Sequence, residues 1–450
     1  NGYKVAMHSF MYDIWGLITS QLLYPYAEYK LGRSILPKLR ILRQEAKLSF
    51  PLRREKALQR LVSTLEDAAA HVPYYRDLFR SCHFDPAKVR IDTRYIEDIP
   101  WLTKDILREQ GERLINETYR DRIVREQKTG SSTGPAAIVR YDQESLDWTA
   151  AQNILMLQWG GKWRCNREAH LSTRFAEMTS DTPHGGRKEL VLNRYNIYTG
   201  GFDDASQEAL LADLRAAHAR IVQGHPSSMF ALARYLKRKG QSGQGLFSIF
   251  VSTGEMMTDD QRKLIEEVLK VRVSNRYGAC EFGVMAQEKV DGPKGELMVS
   301  DSLVWPELLS ENASPSGELV FTALRNPSMP LIRYRMGDLG TLEERADGWW
   351  IAKLLGRTHD AVIINNTSYP THFVQDILDR CGDITDFQIA VDEQGHAREF
   401  RLVTPPEAWE GIAAAVRREF PSVPARRIEA NELIFVGIRG KFSYLVREKA

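Results

Sequence analysis

The stretch Lys128-Thr129-Gly130-Ser131-Ser132-Thr133-Gly134 gathers small side chains, hydroxyls and glycines between two strand-like runs, Arg122 to Arg125 and Ile138 to Tyr141. Small residues let the backbone approach an anion closely, and N–H groups and hydroxyls can then cradle phosphate. It is not a Walker loop: counted from Gly130, the place of that motif's lysine holds Ala136. Tyr277-Gly278-Ala279-Cys280-Glu281 comes just after a strand-like run. An aromatic ring beside glycine can stack on a flat base, and a carboxylate shortly after it can hold a magnesium ion that bridges phosphates. Tyr334-Arg335-Met336-Gly337-Asp338-Leu339-Gly340 reads as an Asp on a glycine-rich turn after a strand, where a carboxylate can take both hydroxyls of a ribose. Gly356-Arg357-Thr358-His359-Asp360 and Gly440-Lys441 add charged side chains further on. Taken singly, each run also fits a plain turn, a buried tyrosine or a solvated lysine.

These residues need elements to position them. Residues 54–72 have Leu58, Leu61, Val62, Leu65 and Val72 on one helical face. The chain to about residue 120 continues helical and basic, punctuated by Pro100. Short β-branched runs then alternate with helices: Ile138 to Tyr141, Ala169 to Thr173, Ile221 to Gly224 and Phe247 to Ser252, with a helix over Ala205 to Arg220. That alternation predicts an α/β fold, with a large N-terminal domain of central sheets flanked by helices. Thr258 to Gln261 reads as a capping box opening a helix to about Lys270, before a strand at Val271 to Asn275. Strands are expected at Glu318 to Thr322, Leu331 to Tyr334 and Trp349 to Leu354. A small α+β C-terminal domain follows from residue 361, beyond a hinge at 356–360. It has strands Phe387 to Val391 and Arg398 to Val403 about the turn Asp392 to Gly395, a helix over Glu407 to Phe420 and a strand over Glu432 to Val436.

Composition narrows the class. The 450 residues have a hydrophobic fraction of 43% and a charged fraction of 27%, which excludes a wholly disordered or collagen-like chain. Sixty-one Lys and Arg against 59 Asp and Glu leave a net charge of +2, so no global charge points to nucleic acid or a charged membrane as the main partner. Cys82, Cys165, Cys280 and Cys381 lie far apart and read as reduced thiols of a cytoplasmic protein. Residues 8–27 are rich in Phe, Trp, Leu and Tyr, but Asp13 and Gln21 interrupt them well short of a span of about 20 residues. A docked N-terminal helix is the reading, with membrane-surface contact as its alternative.

Together, in this order and at these intervals, the runs resemble the adenylate-forming ligase superfamily. Within it they are similar to the phenylacetate–coenzyme A ligase family, especially its relatives from capsular polysaccharide gene clusters. Ala70-His71-Val72-Pro73-Tyr74-Tyr75-Arg76 and Ile99-Pro100-Trp101-Leu102-Thr103-Lys104 look like that family's N-terminal signature. Gly224-His225-Pro226-Ser227-Ser228 and Ser252-Thr253-Gly254-Glu255 match its substrate-side segments. The resemblance implies an enzyme that joins a carboxylic acid to AMP with release of pyrophosphate, then passes the acyl group to a thiol such as coenzyme A. By similarity, Ser131, Ser132, Thr133 and Gly134 line the loop over the β- and γ-phosphates, Glu281 holds Mg²⁺ and Tyr277, next to Gly278, stacks on adenine. Asp338, helped by Arg357, binds the ribose of ATP, and Gly254 and Glu255 lie near adenine. His225, Pro226, Ser227 and the strand before Tyr277 contribute to the acyl pocket. Lys441 reaches the α-phosphate and the acid carboxylate, carried by a domain that swings about the hinge of His359 and Asp360. The family also implies an aromatic acid as substrate and a homodimer as assembly.

Four departures from the family's pattern bear on that reading. The phosphate loop has Gly130 and Ser131 in exchanged order, and Pro135 follows its last glycine. The hinge carries His359 where an acid is usual, with Asp360 next to it. Asn365-Asn366 stands where relatives have Arg-Gly in the loop that forms the thiol channel. The last change removes a positive charge from the path of a polyanionic acceptor. It leaves a carrier-protein thiol or an amine as alternative acceptors to coenzyme A. A non-catalytic descendant would have lost charged site residues, yet Glu281, Asp338, Arg357 and Lys441 are all present.

Overall fold

The computed structural model describes residues 14–128, 137–172, 184–199, 203–310, 314–357, 361–436 (apart from 366, 372–373, 375–376 and 379) and 441–448. By contacts the chain divides into two units. One comprises Asn1–Arg167, Arg187–Asn193 and Ser274–Leu354; the other comprises Glu168–Gly186, Arg194–Val273 and Leu355–Ala450. The fold is mixed α/β, with large sheets flanked by helices and a separate C-terminal sheet, as the alternation of patterns predicts.

The first unit begins helical. The face predicted over residues 54–72 lies on the helix Phe50–His71, which buries Leu61, Val62 and Leu65 completely. Helix Pro73–Ser81 follows at once, because Pro73 disfavours helical geometry at Val72 while suiting the first turn of a new helix. The rest of the lead-in is short: one helix, Lys104–Gln110, among 3-10 turns. Strands β1 (Ile123–Lys128) and β2 (Ile138–Asp142) pair antiparallel, Lys128 opposite Ile138. The stretch between them, holding Ser131, Ser132, Thr133 and Gly134, lies outside the described residues. Asp142 caps the next helix, Gln143–Trp159, by accepting from the backbone N–H of Glu144 and Ser145.

The second unit contains a parallel sheet of β3 (Glu168–Ser172), β4 (Arg194–Tyr198), β5 (Ile221–Gly224) and β6 (Ile249–Ser252), in the order β4-β3-β5-β6. Every residue of β5 and β6 is buried, as expected of parallel strands covered on both faces. Helices Asp204–Ala217, Pro226–Arg238 and Asp259–Leu269 supply Leu214, Leu232 and Ile265 against Val222 and Phe250 in one core. Each such side chain removed from water contributes about 1.5–3 kcal/mol. The capping box between Thr258 and Gln261 is present.

In the first unit, apart from the first two residues of β7 and the last three of β13, β7 (Arg272–Ala279), β8 (Gly283–Gln287), β9 (Leu297–Val299), β10 (Val304–Leu309), β11 (Ser316–Ala323), β12 (Tyr334–Arg345) and β13 (Gly348–Arg357) run in the order β10-β11-β12-β13-β9-β8-β7. Two expectations need correction. The predicted strand Leu331 to Tyr334 is a strand only from Tyr334, because Arg333 takes a left-handed φ of 51° that breaks the extension. The run from Tyr334 to Gly340 is therefore not a turn after a strand but the opening half of β12 itself, with Gly337 at φ 83° bending it.

The C-terminal sheet of the second unit follows the sequence reading closely. A hairpin of β14 (Ala361–Ile364) and β15 (Thr367–Pro370) precedes β16 (Asp386–Val391) and β17 (Ala397–Val403), which pair about the predicted turn. Helix Trp409–Glu419 packs Ile412 and Val416, with Phe420 just beyond it, against Phe387, Ile389 and Phe400. Strand β18 (Ala425–Ile428) joins β17 in parallel. The strand predicted over Glu432 to Val436 shrinks to β19 (Phe435–Val436), because Ala430–Glu432 winds into a 3-10 turn closed by its own Glu429 and Glu432 side chains. Strand β20 (Lys441–Phe442) pairs with β19, and β21 (Leu445–Arg447) with β16.

Candidate active site

In the first unit, the structure brings Tyr277 and Asp338 together. The Tyr277 hydroxyl, on β7, donates to Asp338 Oδ2, on β12, at 2.7 Å, and both side chains are buried. Gly278 is the next residue of β7 and pairs with Val284 across the β7–β8 hairpin. Glu281 sits in the turn of that hairpin, half-buried. Two tyrosines hold it. The Tyr334 hydroxyl points at Glu281 Oε1 at 3.4 Å, and the Tyr141 hydroxyl lies 2.8 Å from the carbonyls of both Cys280 and Glu281. Burial, reinforced by the Glu281 carboxylate, holds both phenols well above the ordinary tyrosine range, so each stays a neutral donor. Asp338 also contributes to the negative field at Tyr334. A nucleotide's ribose and a phosphate-bound cation could thus be served from one end of one sheet.

The lead-in helices position this end. The Tyr75 hydroxyl accepts from the N–H of Ile332 and donates to the carbonyl of Pro330, each at 3.1 Å. Leu102 bridges the start of β12 in both directions: its N–H donates to the Arg333 carbonyl at 3.1 Å, and its carbonyl accepts from Arg335 at 2.9 Å. Arg333 stacks its guanidinium 3.6 Å from the centre of the Trp101 ring, pairs with Glu307 at 2.8 Å and donates to the carbonyls of Glu97 and Ile99. The two N-terminal signatures, around Tyr75 and Trp101, are therefore clamps on the backbone that carries Asp338.

A second cluster lies in the second unit, at the carboxyl ends of β5 and β6. Glu255 Oε1 stands 3.5 Å from His225 Nδ1, and Glu255 Oε2 accepts from the N–H of Ser227 at 3.3 Å. Pro226 opens the helix that follows β5. Gly254 has φ 85°, and a Cβ there would meet the His225 ring at 2.9 Å, so both conformation and space require glycine. Ends of parallel strands are where α/β sheets bind ligands. The Ser252 hydroxyl, fully buried at this end of β6, has no hydrogen-bond partner among the described residues.

Other expected site residues are placed less fully. Arg357 ends β13 and Lys441 opens β20; their backbones are described and their side chains are not. His359 and Asp360 lie outside the described residues, as do Ser131 to Gly134. Asn365, in the altered loop, has φ 50° in the β14–β15 turn, the conformation that asparagine accepts most readily after glycine. Sequence reasoning assigned no role to Tyr141, Tyr334 or Arg333. Tyr334 opened a run already singled out, and a tyrosine there was the available signal. Nothing local marks Tyr141 or Arg333, whose partners are remote in sequence.

No protein-family model matches the chain. A phenylacetate–coenzyme A ligase of Thermus thermophilus is 28% identical over 365 residues, covering 77% of this chain and 79% of that protein. One of Pseudomonas putida is 28% identical over 346 residues, covering 72% and 75%. Among solved structures, 2-hydroxyisobutyryl-CoA ligase in the postadenylation state with 2-HIB-AMP superposes with a TM-score of 0.69 at 16% identity, covering 89% of this chain and 90% of that one. In sequence the chain is similar to phenylacetate–coenzyme A ligases over most of its length, and its fold is like that of 2-hydroxyisobutyryl-CoA ligase.

Proposed function

We propose that the chain is an ATP-dependent, AMP-forming acid–thiol ligase: it converts a small carboxylic acid, in the family's manner an aromatic one, to an acyl-adenylate and then to the coenzyme A thioester. The observation that carries this reading is the Tyr277–Asp338 hydrogen bond beside the Glu281 turn. It joins two separately read motifs at one end of one sheet, in a chain similar to phenylacetate–coenzyme A ligases over most of its length. The acid substrate and ATP are both anionic, so the first step needs cations and donor groups around the phosphates more than a general base. Asp338 takes the ribose hydroxyls and Tyr277 backs adenine. Lys441 supplies a compact positive charge on a flexible stem to the α-phosphate and the incoming carboxylate. The hydroxyls of Ser131, Ser132 and Thr133, with the backbone at Gly134, cover the outer phosphates, and Arg357 assists at the ribose.

Glu281 suits a magnesium ion. That ion is normally held by one or two carboxylates plus substrate phosphates, and Glu281 is a single half-buried carboxylate whose main chain and one oxygen are already fixed by tyrosines. Bound there, the ion would neutralise phosphate charge. Glu255 acts indirectly, holding His225 and the helix start that wall the acid pocket. A swing of the C-terminal domain about residues 356–360, bringing Lys441 in for the first step and away for the second, completes the scheme.

A second reading keeps the adenylation step and replaces coenzyme A by a carrier-protein thiol or an amine. Asn365-Asn366 favours it, because the loop lacks the arginine charge found there in relatives. The test is acid-dependent release of pyrophosphate from ATP and Mg²⁺ over a panel of carboxylic acids, trapped with hydroxylamine and then with coenzyme A. Thioester formation supports the first reading. Hydroxamate without thioester supports the second, and no release across a broad aromatic and aliphatic panel overturns both.

A further inference from the structure

The helical segment from Ile14 to Lys30 is turned inside out. Its small residues face the protein: Gly16, Thr19 and Ser20 are buried, and a Cβ on Gly16 would stand 1.9 Å from the Cys165 carbonyl oxygen. Only glycine permits that approach, so this face is locked inward. Arg164 fastens it further, donating to the Ser20 carbonyl and lying 5.4 Å over the Tyr24 ring. Most of the large apolar side chains consequently point outward, with Trp15, Leu23 and Tyr24 half-buried. Ile14, Leu17, Ile18, Leu22, Tyr26 and Tyr29 form one exposed stripe, with Leu22 at 65% and Tyr29 at 80% exposure. A helix docked on its own protein ordinarily shows the reverse pattern. Leu190, on the neighbouring helix Arg187–Leu192, is also half exposed.

Charge selects the occupant of this stripe. Residues 14–54 contain eight Lys and Arg against two Asp and Glu; Arg33, Lys38, Arg53 and Arg54 pair with Asp147, Glu144, Asp301 and Glu344, which leaves four basic side chains for a partner. Lys30, Arg40, Arg43 and Lys47 are exposed, interspersed with exposed Ile41 and Leu52, whereas Glu45 is taken up by Arg60 and Glu28 by the N–H of Leu36. A two-fold contact between copies would set this basic segment against itself. An anionic bilayer surface complements both features: apolar and aromatic side chains enter the headgroup boundary while basic ones meet lipid phosphate. No described helix is long and apolar enough to cross a membrane. We propose that the Ile14–Lys30 face, with the basic segment after it, docks the protein on anionic membrane surfaces.

The test is co-sedimentation of the full chain with vesicles of phosphatidylcholine alone or with roughly a third phosphatidylglycerol, at low and high salt. Binding to the anionic vesicles, at least about tenfold stronger than to the neutral ones and weakened by salt, is expected. The double substitution Leu17→Glu and Leu22→Glu should abolish it without altering pyrophosphate release in solution or the thermal midpoint. If that variant folds poorly, Leu22→Ser with Tyr29→Ser gives the milder comparison and should weaken binding several-fold. Absence of binding to either vesicle, or equal binding by well-folded variants, overturns the proposal. So does a solution dimer that these substitutions convert to monomer, because the stripe would then belong to a second copy.

Discussion

One hydroxyl group on Tyr277 ties β7 to Asp338 on β12, at the proposed nucleotide site. Tyr277→Phe keeps the ring and removes that bond. A hydrogen bond to a charged group is worth about 1.5–3 kcal/mol, so KM for ATP should rise roughly tenfold or more, with a smaller change in kcat. Steady-state kinetics at varied ATP checks this. Lys441→Ala should lower acid-dependent pyrophosphate release by roughly 10²–10³-fold while ATP binding, followed by calorimetry, stays close to wild type. Unchanged release would remove Lys441 from the chemistry. Glu281→Ala should weaken the Mg²⁺ dependence of turnover; a magnesium titration that superposes on the wild type would exclude the metal role. At this scale the sequence was most informative where a residue type is rare for its setting. A carboxylate after Tyr-Gly could be singled out directly. Tyr141 could not, because its role depends on a carbonyl some 140 residues away.

At the scale of elements, β12 is held at its start by Arg333 rather than by strand pairing alone. Arg333 is buried, left-handed in φ, and satisfied by Glu307, two carbonyls and the Trp101 face. Burial already pushes the Glu307 carboxyl up, and the Arg333 charge opposes that shift. Arg333→Met would strip the pair of its cation and orphan the carbonyls. Removing one partner of such a buried pair costs about 3–5 kcal/mol, so the thermal midpoint should fall by several degrees. A melt indistinguishable from the wild type would show that the clamp is dispensable. The strand boundary here could not be read from Leu331 to Tyr334, whose apolar run looks extended. The break is imposed by partners in the lead-in, not by local propensity. The capping box at Thr258 and Gln261 could be read, because donor and acceptor lie within one turn.

For the molecule as a whole, Asp386 gives a pH signature. It opens the first long strand of the C-terminal sheet and pairs at 3.2 Å with Arg234, on the helix after β5. Burial pushes its carboxyl up to about 6, with the Arg234 charge opposing the shift. A folded value raised above the unfolded one means the native state favours the protonated acid. The contribution is therefore complete below the unfolded value near 3.8 and is lost as pH rises through about 6. Relative to Asp386→Asn, which mimics the neutral acid, the wild type should lose roughly 2.5 kcal/mol between about pH 4 and pH 7. Thermal melts of both proteins over that range check it, and parallel curves would refute the assignment.

Sequence alone determined the fold class, the order of the motifs and the C-terminal module's main strands and helix. Those features rest on periodicity, turn chemistry and capping, which act over a few residues. It also supplied the family resemblance, because motif order survives when most other positions change. Tertiary structure alone decided which side chains meet. The Tyr277–Asp338 bond, the Arg333 clamp and the His225–Glu255 pair each join residues from different elements. It likewise decided which face of the first helix points outward: the apolar pattern of residues 14–30 is visible in sequence, but only the close approach of Gly16 to Cys165 turns the small residues inward. Contacts of this kind depend on where the chain returns in space, and no local pattern encodes that.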